Sequence, residues 1–339
     1  VCSTRASASK RKSMRAGRFF TRKLNLLALF LLAIYAGIAL AAPTLAPPEE
    51  GSGDMPFQRL TEVKNFQPQP PGRTALMGTV ATQARSYHLD VFYTFVWGAR
   101  SAFKFGLTAA LGAALLGMLI GGFGAFISGW VQSLVLHITD AFLAFPLIVG
   151  VALFNQLFLI SQRLSSVQTI TINGVSQSTG TPPPLQVFFT QVNPVWLALV
   201  LFSWMPTARL VNTLVMTVRQ TDYVIAAHAT GVGWLRILLR HILPNTIAPI
   251  VVLLTANIGG MVLIQATLTF IGMGGESAWG EILAQGRHWI IGSGGNPLMY
   301  WWVFVPITLA LVVFGIAWNI LGDGLNDWLN PRQTEHAGT

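Results

Sequence analysis

The chain has 339 residues, of which 53% are hydrophobic and only 10% charged, whereas a soluble domain carries about 25% charged residues. These charges are too few to coat a soluble globule, so the composition indicates a membrane protein with several spans. The net charge of +9 does not indicate nucleic-acid binding, because eight of the 21 basic residues precede Leu24 and lead into an apolar run, which is a membrane-topology signal.

The N-terminal part divides into a basic tail (1–23), a first apolar span (24–42) and a linker (43–102) rich in Pro, Gly and acidic residues near its start. The basic lead and small residues of the first span also resemble a cleaved signal peptide. Its apolar run is longer than the core of a signal peptide, so we expect an uncleaved signal anchor. Cys2 is the single cysteine, which excludes an intrachain disulfide.

Five further apolar runs follow, each long enough to cross a membrane, which needs about 20 residues. The six spans together put both termini on one side, and the basic tail places that side in the cytoplasm. The sequence therefore predicts an all-α membrane protein with a core of five spans (103–321) and a cytoplasmic C-terminal tail (322–339). The five runs are 103–128, 134–160, 194–218, 247–271 and 300–321.

Two outward segments connect these spans, 161–193 and 272–299. The first is rich in Ser, Thr and Gln, and Asn173-Gly174 within it predicts a short β-hairpin. The second is expected to be a loop.

Small residues recur every four positions along the second span, which places them on one helix face: Ala109, Ala113, Gly117, Gly121 and Ala125. Such a stripe lets another helix approach closely. We expect Gly117 and Gly121 to mark packing within the chain, although a contact between subunits is an alternative.

Asp140 and Pro146 stand out in the third span. An ionisable side chain at membrane depth is costly and needs a partner. We expect Asp140 to form a structural hydrogen bond or ion pair; a role in proton relay is the alternative. Pro146 predicts a kink, because proline removes one backbone donor of the helix.

Motifs for nucleotide or metal chemistry are absent from the sequence. None of the five lysines follows a glycine, so the chain contains no phosphate-binding G-x-x-x-x-G-K-[ST] loop. The sequence also lacks G-x-S-x-G, H-E-x-x-H and a metal-spaced group of Cys and His. We therefore expect no catalytic, metal or cofactor site in this chain, and no enzymatic activity of its own.

The stretch from Tyr223 to Asn245, YVIAAHATGVGWLRILLRHILPN, joins the fourth and fifth spans. It predicts a short helix, a break at Gly231 and Gly233, and a second short helix that Pro244 ends. A plain connector needs far fewer residues. The segment 219–246 therefore indicates a small docking element.

This stretch resembles the cytoplasmic coupling loop, or EAA motif, of ATP-binding-cassette importer permeases, in particular the dipeptide, oligopeptide and nickel (DppC/OppC-type) group. The family pattern is Tyr-Val-Glu-Ala-Ala, a glycine four residues on, and His-Ile-Leu-Pro-Asn; here Ile225 replaces the glutamate. The resemblance implies that coupling to an ATPase falls to Tyr223, Ala226, Ala227, Gly231, Trp234, Arg236, His241 and Pro244.

The resemblance extends in order over residues 76–332. It includes DVFYTFVWGARSA before the second span, ITDAFLAFP in the third, WMPTARLVN in the fourth, TFIGMGGESAWGEILAQGR after the fifth and LGDGLNDWLNPR at the end. His88-Leu89 replaces the usual Gly-Arg before Asp90.

Family membership implies the transmembrane domain of a type I importer in a bacterial or archaeal plasma membrane. Its expected partners are a second, homologous permease (DppB/OppB-like), two ATPases that bind ATP and magnesium, an extracytoplasmic solute-binding protein and lipid, with no nucleic acid. The implied solute is a di- or oligopeptide.

Two other classes remain as alternatives. A secondary transporter or channel would place several ionisable groups at mid-membrane, and Asp140 alone gives this class little support. A degenerate permease that acts as a scaffold or sensor is suggested by Ile225 and by His88-Leu89.

Overall fold

The computed structural model describes residues 22–52, 55–59, 67–82, 87–127, 129–166, 169–172, 175–178, 192–237, 240, 243–292 and 295–329. Helices make up most of this described chain. They are α1 (Lys23–Leu40), α2 (Ala42–Leu45), α3 (Val91–Phe126), α4 (Trp130–Ala144), α5 (Leu147–Ser166), α6 (Pro194–Ser203), α7 (Met205–Arg219), α8 (Asp222–Ala229), α9 (Trp234–Ile237), α10 (Leu243–Phe270), α11 (Ala278–Ile291) and α12 (Trp301–Leu329). The strands are β1 (Gln58–Arg59), β2 (Thr79–Ala81), β3 (His88–Asp90), β4 (Thr169–Ile172) and β5 (Val175–Ser178).

Five segments of the described chain are helical, long and apolar enough to cross a membrane: α1, α3, the consecutive α6 and α7, α10 and α12. Helices α4 and α5 supply a sixth if they count as one span, and they are bent by 91° at their junction. This agrees with the six expected spans and with the kink expected at Pro146. Arg22 before α1 forms an ion pair with Asp327 near the end of α12. The start of the first span and the end of the last span therefore lie on the same side of the bundle.

The second span begins earlier than predicted. Helix α3 starts at Val91, so residues 91–102 of the expected linker are helical. The Asp90 carboxylate caps the helix by accepting a hydrogen bond from the Tyr93 amide at 3.0 Å. Hydropathy reveals only the lipid-immersed part of a helix, and Arg100 and Lys104 interrupt the apolar pattern at its outer end.

The expected loop 272–299 contains a helix, α11, of 14 residues. Ser277 caps its N-terminus by accepting a hydrogen bond from the Gly280 amide at 3.2 Å. Trp279 is almost fully buried, its indole lies directly over Gly98 of α3, and its Nε1 donates to the Phe95 carbonyl at 3.3 Å. Close packing against α3 therefore holds α11 at the end of the bundle where α3 begins.

The strands form two small antiparallel units. β3 lies between β1 and β2 in a three-stranded sheet just before α3. β4 pairs with β5, and Ile172 lies opposite Val175. This pairing confirms the hairpin expected around residues 173–174, which themselves lie outside the described residues.

The stripe of small residues on α3 packs within the chain. A Cβ atom built on Gly117 would lie 2.5 Å from the Trp204 carbonyl oxygen and 2.7 Å from the Thr207 Cβ, and one on Gly121 would clash with the Ala208 carbonyl. Helices α3 and α7 are thus in backbone contact at these two glycines, which confirms the expected intramolecular packing.

Candidate functional site

Residues 220–242, between α7 and α10, are called the inner loop here, and its described part has the predicted two short helices, α8 and α9. Helix α8 ends in a turn in which Gly231 has φ +79°. The Val232 amide donates to the Ala227 carbonyl at 3.2 Å. This is the hydrogen bond of a Schellman motif, and it satisfies a carbonyl in the last turn of α8. Glycine is favoured at this position because side chains oppose a left-handed backbone.

Two buried side chains anchor the inner loop to the membrane helices. Val224 of α8 and Ile237 of α9 are 4% and 2% exposed, and they share a cluster with Val215 of α7 and Ile250 of α10. Burying an aliphatic side chain of this size contributes about 1.5–3 kcal/mol. The loop is therefore fixed to the inner ends of α7 and α10.

The opposite face of α8 points away from the bundle. Tyr223 and Ile225 are 47% and 56% exposed, and Ala226 is exposed as well. A Cβ atom built on Gly231 would have no neighbouring atom within 4 Å, and Arg236 of α9 is exposed. These residues form an open surface, which we call the coupling face: Tyr223, Ile225, Ala226, Gly231 and Arg236.

Four sequence-predicted residues of this loop differ from expectation or lie, wholly or by their side chains, outside the described part. Ala227 does not share the open side of Ala226; it is half-buried against the anchoring cluster. Pro244 does not end a helix but lies in the first turn of α10, where its missing N–H would have no helical partner. His241 lies outside the described residues, as does the side chain of Trp234, which begins α9.

Asp140 has the ion-pair partner that the sequence analysis expected. Arg209 of α7 donates from Nη1 to Asp140 Oδ1 of α4 at 2.8 Å, and the side chains are 60% and 54% exposed. Sequence reasoning did not single out Arg209. The signal was available, because Arg209 is the single charged residue of span 194–218 and Asp140 that of span 134–160.

Pro146 lies at the junction of α4 and α5. The Phe145 amide turns back to the Phe142 carbonyl at 3.1 Å, and a new helical ladder begins with the Gly150 amide bonding the Pro146 carbonyl at 3.1 Å. The proline interrupts the helix completely instead of bending it gently.

Among the described residues, no group of three His, Cys, Asp or Glu side chains is placed to hold a metal ion.

Comparison with known proteins gives a consistent result. The profile of the family described as "Binding-protein-dependent transport system inner membrane component" matches residues 113–335. A candidate peptide transport system permease protein of Brucella suis biovar 1 is 31% identical over 94% of this chain and 91% of its own length. The dipeptide transport system permease protein DppC of Alkalihalophilus pseudofirmus is 29% identical over 91% of this chain and 86% of its own.

The nickel transport system permease protein NikC of Escherichia coli K12 is 28% identical over 92% of this chain and 95% of its own length. These similarities run through the broken span, the inner loop and α12, and not through a single motif. The chain belongs to the binding-protein-dependent transport system inner membrane components, as an ATP-binding-cassette importer permease of the DppC/OppC type with the type I membrane fold.

Proposed function

We propose that this chain forms half of the translocation pathway of an ATP-driven importer for di- or oligopeptides. An extracytoplasmic binding protein delivers the solute, a second, homologous permease supplies the other half, and two ATPases act on the coupling loop 223–245. The observation that carries this proposal is the coupling face, an open surface on a loop whose other side is buried in the bundle.

The contacts of the inner loop support mechanical coupling. A displacement of α8 moves α7 and α10 with it, because Val224 and Ile237 are buried against both helices. The ion pair between Arg209 and Asp140 extends this connection from α7 to α4. ATP-driven closure of the two ATPases would thus reach the broken span and switch the pathway between outward and inward access.

ATP chemistry is assigned to the partners. The sequence contains no loop of its own for binding the nucleotide phosphates, so the partner ATPases bind ATP and magnesium. In this proposal the permease contributes the pathway and the docking surface, and it is not an enzyme.

Ile225 lies at the centre of the coupling face, where the family pattern has glutamate. If the partner groove keeps a polar contact for that glutamate, Ile225→Glu should preserve or strengthen ATPase association. The measurement is the ratio of ATPase to permease after purification, with Ile225→Gln as the uncharged control. Loss of the ATPases in the Glu variant alone would show that the groove is apolar here.

The proposed solute class follows the relatives whose names specify peptides and dipeptides, and the nickel permease provides the second candidate.

The proposed orientation places both termini and the inner loop in the cytoplasm. A cysteine introduced in 165–178 should then react with an impermeant reagent from outside intact cells, and one at Gly233 should not.

The decisive experiment is transport by the complete complex in vesicles. Uptake of radiolabelled dialanine, trialanine and nickel would be measured with and without ATP, in the presence of the cognate binding protein. ATP-dependent uptake of a peptide supports the proposal. Uptake driven by an ion gradient would indicate a secondary transporter, and a complex that assembles but transports none of these solutes under either condition would indicate a scaffold or sensor.

A further inference from the structure

Two membrane spans each lose a helical hydrogen bond at a proline. The helix breaks between α4 and α5 at Pro146, whereas α6 and α7 together form one span in which Trp204, just before Pro206, keeps a helical backbone. Each proline lacks the N–H that would bond the carbonyl four residues earlier, at Phe142 and Phe202 respectively. The rings of these two phenylalanines are in contact, with centroids 5.9 Å apart. The break in the third span therefore faces the Pro206 region of the fourth span.

A cavity of about 280 Å³ lies at this meeting point. Its walls come from the residues that flank Pro146, from the region around Pro206 and from one face of α10, which contributes Asn257, Met261 and Ile264. Most of the wall is apolar, but Ser203 also lines it, and the buried Ser203 Oγ has no hydrogen-bond partner among the described residues. Asn257, which is half-buried, adds a second polar side chain to the lining.

An unpaired polar group in a dry interior is costly, because it has given up its hydrogen bonds to water. Irregular backbone at membrane depth occurs only where protein buries it or where it lines a water-filled cavity. The neighbouring ion pair of Asp140 and Arg209 leads to the same conclusion, because both side chains are more than half exposed and charges facing lipid are costly. This face of the chain is therefore turned toward water or protein and not toward lipid.

We propose that this cavity is the part of the import pathway that the chain contributes, and that Ser203 and Asn257 hydrogen-bond the amide groups of a passing peptide. The inference rests on the proposed function. A hydroxyl and a carboxamide can each donate and accept, as a peptide unit requires. The rings of Phe142 and Phe202 contact the apolar side chains of the solute.

The lining of the cavity also bears on the kind of solute. None of the described residues that line it is a His, Cys, Asp or Glu, the side chains that bind divalent transition metals. The site therefore fits an amide-bearing solute rather than a bare nickel ion.

The test uses single cysteines in the complete transporter, on a Cys2→Ser background, and the impermeant cationic thiol reagent 2-(trimethylammonio)ethyl methanethiosulfonate. Ser203→Cys and Ile264→Cys report on the cavity. Leu263→Cys is the matched control, because Leu263 is the neighbour of Ile264 on α10 but lines a different groove, between α10, α11 and α12. Phe30→Cys, on the exposed face of α1, is the lipid reference.

The complete transporter would be reconstituted in vesicles, and the rate of labelling of this chain would be measured by mass spectrometry. The measurement would be made without nucleotide and with ATP plus vanadate. We expect both cavity cysteines to react about a hundredfold faster than the Leu263 and Phe30 cysteines in at least one nucleotide state, because a charged reagent is excluded from lipid. Wild-type uptake, measured separately, tells whether the proposed function itself holds.

Three results would overturn the inference. Cavity cysteines that react no faster than Phe30→Cys in either state would show that the partner permease or lipid seals the cavity. A reactive Leu263→Cys beside an unreactive Ile264→Cys would move the passage to the other face of α10. Accessible cavity cysteines whose reaction rate is unchanged by saturating dialanine, in a complex that transports dialanine, would show a water-filled cavity outside the solute's route.

Discussion

Two connections, on opposite sides of the bundle, turn the chain at glycines with positive φ, but they use these glycines differently. In the α10–α11 turn (271–277), Gly275 has φ +108° and a Cβ on it would lie 2.7 Å from Thr269 Oγ1 and 2.9 Å from the Gln265 carbonyl. In the inner loop, Gly231 has φ +79° and open space around it. The first glycine is required by conformation and packing together, the second by conformation alone.

The surroundings of the two connections explain this difference. In the α10–α11 turn, Gln265 Nε2 donates to the Gly275 carbonyl at 2.7 Å, and the Ser277 amide donates to Thr269 Oγ1 at 3.1 Å. Asn193 Nδ2 donates to Glu276 Oε2 at 2.9 Å, which ties the turn to the start of α6. The inner loop has one buried side and one open side. The contacts of the buried side fix the shape of the open side, and no other part of the described chain covers that open side. Such a surface is suited to binding a partner.

The largest expected effect is at the packed glycine. Gly275→Ala combines left-handed strain of about 1–2 kcal/mol with overpacking of about 1–3 kcal/mol. We expect a marked loss of folded permease, measured by thermal unfolding in detergent. Gly272→Ala is the matched control, because Gly272 has φ +78° in the same turn and nothing within 4 Å of its Cβ position. Equal losses in both variants would show that packing adds nothing at Gly275.

The next effect concerns the coupling face. Ala226→Trp should leave membrane insertion and thermal stability unchanged but weaken ATPase association about ten- to a hundredfold, because overfilling a close contact costs about 1–3 kcal/mol. Ala227→Trp should instead destabilise the permease itself, since Ala227 packs against the anchoring cluster. Copurification and thermal unfolding would be measured for both. Wild-type association in the Ala226 variant would contradict the docking role of this face.

Gly231→Val tests the conformational role of the inner glycine. A β-branched residue at φ +79° costs at least about 1–2 kcal/mol of strain, and relief of that strain would reshape the end of α8. We expect normal insertion with reduced coupling of ATP hydrolysis to transport. Gly231→Asn, which tolerates this conformation better, should retain most of the coupling. Full coupling in the Val variant would mean that the turn does not have to keep its shape.

The smallest effect is expected at the exposed ion pair. Asp140→Asn should lower stability by about 0.2–1 kcal/mol, because an exposed pair is largely screened by solvent. It should affect complex yield more than the transport rate of each folded complex. A double-mutant cycle with Arg209→Gln measures the coupling between the two side chains. A fully assembled complex without transport would assign Asp140 a direct role in the pathway.

Much of the site could be predicted because local rules govern it. The positive φ of Gly231 follows from a glycine placed after a short helix, and the hairpin at 169–178 follows from Asn-Gly between β-prone residues. The need of Asp140 for a partner follows from the cost of a charge at membrane depth. Ala226 and Ala227 could not be assigned to different faces, because side-chain burial in a helix of eight residues depends on what packs against it.

The sequence by itself determined the six apolar segments, the family resemblance and the position of the coupling loop, since hydropathy and local turn chemistry depend only on neighbouring residues. The tertiary structure decided the start of α3 at Val91, the burial of α11 through Trp279 and the pairing of Asp140 with Arg209. It also brought the break at Pro146 and the Pro206 region of the fourth span to one cavity. Each of these depends on contacts between residues far apart in the chain, and spans that are apolar on all sides carry no periodic signal of which face meets which neighbour.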